Sequence, residues 1–476
     1  MRLASLALSL LLVACGDEAS TCPGSGGPAW TRSFSEVFAF GITPLAGGEV
    51  VIAGFTREAA DFCEGPLRPP STQDDEGEFF VAAQFDAEGG LVWGRQFGVS
   101  GSHRGFAVAA DPTGGVWLAG TCEGTIDFGG GELASAAGEE FHGGDACLVH
   151  FAADGSHLLS KLYPGLETQT VSAIAVDPAG NLYIAGQLYG SVDFGGGALA
   201  SSSVGSDPYV AAFTPDGAFR WQRAFANYGQ SAPSGLAASA DALVLTGRND
   251  APIDLGSGLA ELPHPNGNFG AHDNFIASLD PQGGATRWAQ VFGSDAEDTV
   301  ERPSLDSAGD IVCNGQFGRD LIVAGAPPLT APTEYAQFVL KLGADGEYRW
   351  ARAFAHDFFD PQWYATATPA GEVRLVGGLA RPTDFGTGSI GVPCSDSECG
   401  ALFIASLAPD GTTRQARMLG QVAMDIEPLV ASSDADGTLL ISGLFARGGP
   451  ALDIGVPALR ATAMDEAFVA RLPPGE

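Results

Sequence analysis

The sequence predicts an all-β fold made of seven copies of one four-stranded unit. The first observation is a recurring turn, followed by an apolar strand that ends in glycine. The seven closing glycines are Gly54, Gly120, Gly186, Gly247, Gly315, Gly377 and Gly443. Their spacings are 66, 66, 61, 68, 62 and 66 residues, so a unit of nearly constant length repeats along the chain. The second observation is that strand-like alternation is present while helical periodicity is absent.

Three further marks follow the glycine strand in a constant order. The first is an Asp before an apolar residue, found at Asp61, Asp127, Asp193, Asp254, Asp320, Asp384 and Asp453. The second is a short apolar strand such as YVAAF at 209–213. The third is a strand with aromatic or apolar partners four residues apart, which place both side chains on one face. These pairs are Trp30/Phe34, Trp93/Phe97, Leu159/Tyr163, Trp221/Phe225, Trp288/Phe292, Trp350/Phe354 and Gln415/Leu419.

Each unit therefore contains four strands, which we label a to d. Strand a precedes an Asp-Pro-x-Gly turn, strand b ends in the repeat glycine, strand c is short and apolar, and strand d is aromatic. The a–b and c–d links are short and hold Asp, Pro and Gly, which favour tight turns. Four antiparallel strands repeated seven times are typical of a β-propeller, in which each unit forms one blade around an axis.

The order of the marks predicts how the ring closes. The first strand d, from Trp30 to Phe34, comes before the first strand a, and no strand d follows the last strand c, from Phe468 to Leu472. We therefore predict that the N-terminal strand completes the seventh blade. Closure in this way removes the exposed edges that an open array would leave. The predicted seven-bladed β-propeller extends over residues 30–476.

The repeats resemble those of bacterial secreted β-propeller repeat proteins. The unit that reads AIAVDPAGNLYIAG…DFGGG…DPYVAAFTPDGAFRW over residues 173–221 carries the resemblance, which extends over about residues 30–476. The resemblance implies the propeller fold. It implies no activity, because most members of this family lack an assigned one, and no catalytic motif is carried over.

Residues 1–14 predict a lipoprotein signal peptide. Arg2 precedes an apolar run over residues 3–14, which is shorter than the roughly 20 residues of a membrane-spanning helix. The ending LVAC at 12–15 resembles a bacterial lipobox, which implies cleavage before Cys15 and lipidation of its thiol. The alternative is an ordinary secretory signal with an incidental Cys15. Gly16 stands where an Asp would favour retention in the inner membrane, so the same resemblance favours the outer membrane.

Residues 15–29 form the predicted lipidated Cys and a flexible tether. The segment GDEASTCPGSGGPA is polar, rich in Gly, Pro and Ser, and without periodicity. Such a tether has an end-to-end distance of roughly 20 Å, which keeps the folded body close to the membrane surface. The lipid anchor is then the expected membrane attachment.

The charge of the chain excludes some classes of function. Lys and Arg total 23 against 57 Asp and Glu, which gives a net charge of −34. A general nucleic-acid binder needs a basic face for phosphate, and adhesion to anionic lipid needs the same sign of charge. We therefore expect no nucleic-acid partner. Hydrophobic residues make up 45% of the chain, including 29 Phe, so a large core can be buried.

Antiparallel strands place the b–c and d–a links on one face of the ring, which we call the variable face. It carries the longest links, at 63–78, 129–146, 256–274 and 386–402. The opposite, uniform face carries the short a–b and c–d turns. Irregular loops on a rigid scaffold often bind ligands, so the variable face is a candidate recognition surface; the alternative is tolerated decoration. In one d–a link the candidate binding residues are His356, Phe358, Phe359, Trp363 and Tyr364, unless most of these rings fill the core.

Two other clusters are candidates for a metal, although we expect no metal and no cofactor. Asp295, Glu297, Asp298 and Glu301 could offer oxygens to Ca²⁺, but their spacing matches no known loop and favours a solvated acidic patch. His264 and His272 share one long link, but no zinc-site spacing is present. The sequence also lacks GxSxG, P-loop and dinucleotide-binding motifs. The Asp434-Ala435-Asp436-Gly437 run resembles a Ca²⁺ loop but is better explained as a turn.

Export would permit disulfides among the eight cysteines. Cys394 and Cys399 flank four residues and could close a small loop. Cys122 and Cys147 bracket a long b–c link, and Cys22 could reach Cys63. Cys313 lies in a predicted strand b and is expected to be a buried free thiol.

The sequence thus favours a non-enzymatic, lipid-anchored scaffold of the outer membrane that binds an unknown protein or glycan and is expected to be a monomer. Two alternatives stay open. One is a propeller enzyme that acts on glycans as a lyase or hydrolase, and the other is a structural component of the envelope without a ligand. Propellers host binding and catalysis alike, so the fold does not decide between them.

Overall fold

A computed structural model describes residues 29–35, 37–62, 65–67, 78–135, 144–202, 205–227, 229–256, 272–356, 363–392, 399–423, 430–434, 436–446 and 465–473. The regular structure of these residues is entirely β-strand. Among them, no helix has the length and apolar character that crossing a bilayer would require. The signal peptide and most of the tether that the sequence predicts lie outside the described residues.

The first half of the chain contributes eighteen of the described strands. They are β1 Trp30–Ser35, β2 Val37–Pro44, β3 Val50–Thr56, β4 Phe79–Phe85, β5 Leu91–Phe97, β6 His103–Ala110, β7 Val116–Cys122, β8 Thr125–Asp127, β9 Glu132–Ala134, β10 Asp145–Phe151, β11 His157–Tyr163, β12 Gly165–Leu166, β13 Ala173–Val176, β14 Leu182–Leu188, β15 Ser191–Val192, β16 Leu199–Ala200, β17 Asp207–Phe213 and β18 Phe219–Ala224.

The second half contributes the other seventeen described strands. They are β19 Ser231–Ala238, β20 Leu243–Asn249, β21 Asp273–Leu279, β22 Thr286–Phe292, β23 Ser304–Leu305, β24 Ile311–Leu321, β25 Leu329–Leu342, β26 Tyr348–His356, β27 Trp363–Ala367, β28 Val373–Leu379, β29 Thr383–Asp384, β30 Ser389–Ile390, β31 Cys399–Leu407, β32 Thr413–Ala423, β33 Val430–Ser433, β34 Leu439–Ala446 and β35 Asp465–Leu472.

Within the described residues, these strands form seven four-stranded antiparallel sheets and three smaller ones. We number the large sheets I to VII along the chain and write each from its strand a, the inner strand, to its strand d, the outer strand. They are I (β2–β3–β4–β5), II (β6–β7–β10–β11), III (β13–β14–β17–β18), IV (β19–β20–β21–β22), V (β23–β24–β25–β26), VI (β27–β28–β31–β32) and VII (β33–β34–β35–β1). The predicted all-β class and the four-stranded antiparallel unit are confirmed. The strands in each sheet stand in the predicted order a, b, c, d.

Sheet VII joins the two ends of the sequence. Strand β1 pairs antiparallel with β35, and Trp30 lies opposite Arg471 while Phe34 lies opposite Ala467. The N-terminal strand thus occupies the outer position that strand d holds in the other six sheets. This is the pairing that the order of the sequence marks predicts.

The inner strands of neighbouring sheets contact one another in a cyclic order. Strand β2 contacts β6, and the series continues through β13, β19, β23, β27 and β33, which contacts β2 again. The core lies between sheets rather than within one, because each of seven buried apolar clusters draws its side chains from two neighbouring sheets. The inner strands thus follow one another in a closed cycle of contacts, and we call the space between them the axial region.

Aromatic residues of the d strands form hydrogen bonds to the neighbouring sheet. Four tryptophans donate an indole N–H to a carbonyl in the c–d turn of the following sheet. These bonds join Trp30 to Ala87 (3.0 Å), Trp221 to Pro281 (3.1 Å), Trp288 to Ala344 (2.9 Å) and Trp350 to Pro409 (2.8 Å). A glycine with positive φ lies under each of these rings, at Gly89, Gly284, Gly346 and Gly411. A Cβ atom there would come within 2.7 Å of the indole, so the ring needs a glycine beneath it.

The repeated Asp residues cap turns. The Asp177 carboxylate accepts the N–H groups of Ala179 and Asn181 at 2.9 Å, and Asp127 accepts those of Gly129 and Gly131 at 2.7 and 3.0 Å. Asp434 accepts the N–H of Asp436 at 3.0 Å and that of Thr438 at 2.8 Å. A turn therefore explains this run, as the sequence indicates, because the carboxylate replaces a backbone acceptor.

Candidate functional site

The variable face differs from one sheet to the next. Extra short hairpins lie on its b–c and d–a links, formed by β8 with β9, by β15 with β12 and β16, and by β29 with β30. In sheet V the central strands β24 and β25 themselves extend into the link. Much of the four longest links lies outside the described residues. The described part shows a sheet scaffold whose decoration is concentrated on this face.

A basic cluster lies on the variable face between sheets I and II. The buried carboxylate of Glu78 pairs with Arg57 Nη2 at 3.2 Å and with the Nε of Arg104. The Ser102 hydroxyl donates to the same carboxylate at 3.3 Å. Glu78 is 7% exposed, whereas Arg57 and Arg104 are 60% and 51% exposed. One buried anion therefore orients two guanidinium groups that remain open to solvent.

These contacts lower the pKa of Glu78. Burial alone would raise the pKa, but the hydrogen bond and charge of Arg104, together with the bonds from Arg57 and Ser102, lower it below the usual value. Glu78 is thus ionised at neutral pH. The cluster then carries one net positive charge, in a chain whose total charge is −34.

Phenylalanine rings support both arginines. Phe38 and Phe55 stack at 4.8 Å, and Arg57 lies 5.4 Å from the first ring and 5.8 Å from the second. Arg104 lies 5.6 Å from Phe55 on the neighbouring side. A guanidinium over an aromatic face gains cation–π attraction and keeps its edge donors directed outward. The rings therefore hold the basic cluster in place on the variable face.

His103 fixes the chain segment that carries Arg104. Its Nε2 lies 3.0 Å from the Ser100 carbonyl oxygen and 3.1 Å from that of Thr125. Burial lowers the pKa of His103 to about 4, against the weaker opposing effect of these carbonyls. The ring is neutral at neutral pH and acts as a fixed connection within the link.

A cavity of about 290 Å³ lies on the axis, nearer the uniform face. Residues from the inner strand region of all seven large sheets line it. Arg302 lies at its inner end, where Nη2 donates to the Phe40 carbonyl at 3.1 Å. The axis thus carries two separate basic features, one at the variable face and one deeper in the channel.

Two buried carboxyl groups meet in the d–a link of sheet IV. Ser294 donates its hydroxyl to Asp298 Oδ1 at 2.6 Å, and its backbone N–H donates to Oδ2. Burial raises the pKa of Asp273 to about 8 and that of Asp298 to about 7, and the charge of Asp298 raises the pKa of Asp273 further. The pair therefore holds a proton near neutral pH.

The sequence expectation of a solvated acidic patch is wrong for Asp298, and Glu301 is also partly buried. Asp295 and Glu297 are exposed, but Asp298 is only 1% exposed because it caps the turn that begins at Ser294. His272 Nδ1 lies 2.7 Å from Glu297 Oε2, and His264 lies outside the described residues. In the described part of the chain, no three His, Cys, Asp or Glu side chains converge in a way that could hold a metal ion.

The aromatic candidates for binding separate into three groups. Trp363 is 0% exposed, packs on Phe385 and Phe403, and donates its N–H to the Gly378 carbonyl at 2.9 Å. It belongs to the core between sheets V and VI, and its assignment to a binding surface is therefore corrected. Tyr364 lines the axial cavity instead of the variable face. Phe358, Phe359 and the side chain of His356 lie outside the described residues.

One predicted disulfide is present. Cys122 and Cys147 are joined across strands β7 and β10, at the base of the long b–c link of sheet II. Cys313 is a buried free thiol, as expected, and burial raises its pKa to about 12. Cys22, Cys63, Cys394 and the side chain of Cys399 lie outside the described residues, so those two pairings stay predictions.

No protein-family model and no curated protein matches this sequence. Solved structures similar to the chain are β-propeller proteins. BamB from Moraxella catarrhalis is 10% identical with a TM-score of 0.40, and the match covers 93% of this chain and 99% of that one. A quinohemoprotein alcohol dehydrogenase from Comamonas testosteroni is 11% identical with a TM-score of 0.38, over 94% and 76% of the two chains. A PL25 ulvan lyase is 11% identical with a TM-score of 0.38, over 86% and 92%. These similarities are too distant to support an argument about function.

The basic residues of both axial features were not predicted from the sequence. Arg57, Arg104 and Arg302 are isolated single arginines, and no motif marks them. A weak signal was nevertheless present for Arg104, because it lies in the predicted strand a of its unit, β6, in a chain with only 23 cations among 476 residues.

Proposed function

We propose that this chain is a seven-bladed β-propeller closed by its N-terminal strand, and that it acts as a lipid-anchored, non-enzymatic binding scaffold of the outer membrane. The ligand is a glycan or a protein, and an acidic glycan is favoured. The pairing of β1 with β35 and the cyclic contacts of the inner strands support the ring. The apolar run at residues 3–14 and the resemblance of LVAC at 12–15 to a bacterial lipobox support the anchor.

The observation that carries the binding proposal is the pair of exposed arginines on Glu78. Arginine presents a planar set of donors that suits carboxylate and sulfate groups. Holding two guanidinium groups in advance lowers the entropic cost of binding an anion. The surrounding acidic surface repels anions elsewhere, so this spot on the variable face is where an acidic sugar would be accepted.

A glycan array tests the proposal with the purified protein in detergent. We expect binding to uronate-bearing and sulfated oligosaccharides and little binding to neutral ones. The double variant R57Q/R104Q should lose at least tenfold in affinity, because a charge-assisted hydrogen bond contributes about 1.5–3 kcal/mol. The control is R349Q, whose arginine is 42% exposed and pairs only loosely with Asp345 and Glu347 beside a c–d turn of the uniform face.

Unchanged binding by R57Q/R104Q, or the absence of any acidic glycan among the ligands, contradicts the assignment. The enzyme alternative is tested in the same samples by searching for cleaved oligosaccharides. A glycosidase needs two carboxyl groups on either side of the sugar bond. Asp273 and Asp298, which share a proton, are 0% and 1% exposed, so a sugar ring cannot reach them in this structure.

A further inference from the structure

The axial cavity has the composition of a small-molecule site. Aliphatic residues from four different sheets line it, namely Ile42, Val108, Ile174, Val176 and Leu236. Thr43, Ser304, Thr366, Ser432 and Tyr364 also belong to the lining, and polar atoms make up more of the exposed wall than apolar atoms do. A concave site that combines apolar side chains with several polar groups is the usual design of a ligand pocket. The volume of about 290 Å³ suits a molecule of one or two rings.

Arg302 is the charged residue of this lining, and no carboxylate belongs to the described residues around the cavity. Its bond to the Phe40 carbonyl spans the channel from sheet V to sheet I, which places the guanidinium near the axis. Because Phe40 precedes the lining residue Ile42 by two positions on β2, Arg302 lies at the inner end of the cavity. A ligand that enters from the uniform face would meet the charge last.

The backbone around Arg302 is fixed on both sides. A Cβ atom on Gly235 of β19 would lie 2.5 Å from the Arg302 Cα, so sheets IV and V approach closely there. The preceding residue, Glu301, donates its N–H to the Asn314 carbonyl at 2.7 Å, and its own carbonyl accepts the Thr246 hydroxyl at 3.0 Å. The guanidinium is thus held before any ligand arrives, which reduces the cost of binding.

Glu301 is the carboxyl group next to Arg302 in the sequence. Burial raises the pKa of Glu301 to about 7, although the positive charge of Arg302 opposes that shift. The neighbouring carboxyl group is therefore partly protonated near neutral pH. A positive charge that lines a concave site interacts with an anion more strongly than the same charge on an open surface does.

From this geometry we propose that the axial cavity binds a small organic anion, with its carboxylate or sulfonate on Arg302 and its apolar body against the aliphatic walls. The site is separate from the glycan-binding cluster, since the two lie toward opposite faces of the ring. Failure of one therefore does not imply failure of the other.

A fluorescent probe tests the proposal on the purified protein. Anilinonaphthalene sulfonate carries one sulfonate on an apolar body, and we expect saturable binding with enhanced emission. Benzoate and naphthalene carboxylate should displace it, and their neutral amides should compete at least tenfold more weakly. R302M should reduce affinity for the probe at least tenfold, R302K should keep part of it, and R349Q should leave it unchanged.

A second variant covers the case in which R302M does not fold. Ile174 is partly exposed to the cavity, so I174W fills the space while leaving Arg302 in place. Loss of probe binding in I174W, with an unchanged melting temperature, supports the site. Equal displacement by amides and carboxylates, or probe binding that neither I174W nor a folded R302M weakens, overturns it. Absence of saturable probe binding to the wild-type protein overturns it as well.

Discussion

The buried residues Asp273 and Asp298 make the stability of the folded chain depend on pH. The unfolded chain loses both protons near the ordinary value of 3.8, whereas the fold retains a proton up to about pH 7–8. Between these limits the unfolded state releases protons that the folded state keeps. Relative stability is therefore greatest below about pH 4 for this pair and falls as pH rises toward 8.

We expect D273N to reduce the pH dependence of the free energy of unfolding. The amide keeps an oxygen acceptor but removes one of the two like charges, so the variant should be more stable than wild type at pH 8, by about 1–3 kcal/mol. The advantage should shrink toward pH 5. Urea unfolding followed by tryptophan fluorescence at both pH values measures it. D295N, in an exposed side chain of the same link, is the matched control, and a benefit of D273N that is equal at both pH values contradicts the account.

Single residues also show what the sequence could and could not predict. The turn-capping role of Asp127 and Asp434 follows from the local pattern, because the bond partners lie two and four residues away. Trp363 and Asp298 were misjudged because their burial depends on neighbours far along the chain, such as Phe403 for the tryptophan. Glu78 joins Arg57 and Arg104 across three segments, and no local spacing marks such a meeting.

At the level of the element, the aromatic strand d is the part that connects sheets. The repeating Trp was recognised in the sequence as the mark of a strand face. Its partner, the positive-φ glycine in the next c–d turn, lies about 60 residues away and became evident only from the structure. In two sheets another residue takes the Trp position: Leu159 lies against Gly217, and Gln415 is exposed.

We expect G346A to destabilise the fold more than G325A does. Both glycines have positive φ, at 82° and 76°, so alanine costs conformational energy at either position. A methyl group at residue 346 would also lie 2.7 Å from the Trp288 ring, whereas nothing lies within 4 Å of residue 325. G346A should lower the free energy of unfolding by about 1–3 kcal/mol more than G325A does, because overpacking against the Trp288 ring is added to the backbone strain. Chemical unfolding measures both variants, and equal losses would show that the Trp–Gly contact contributes little.

The whole molecule combines a strongly acidic surface with arginines along its axis. The repeat length, the number of units and the early position of the first strand d were all readable from the sequence, because repetition averages out local ambiguity. The axial features were not readable, since they arise where seven inner strands meet. The signal peptide at residues 1–14 and the lipidated Cys and tether at residues 15–29 are predicted from the sequence alone.

The measurement that tests the closed ring most directly is amide hydrogen exchange of the N-terminal strand, followed by mass spectrometry. Strand β1 has one sheet partner, β35, and its protection depends on that pairing. The account predicts that the amides of Trp30–Ser35 exchange slowly in the native protein, and that the Phe34→Asp variant accelerates exchange in Asp465–Leu472 as well. Exchange of Trp30–Ser35 at the rate of an unstructured tail, while β34 and β35 remain protected, would contradict the ring and the assignment of faces that rests on it.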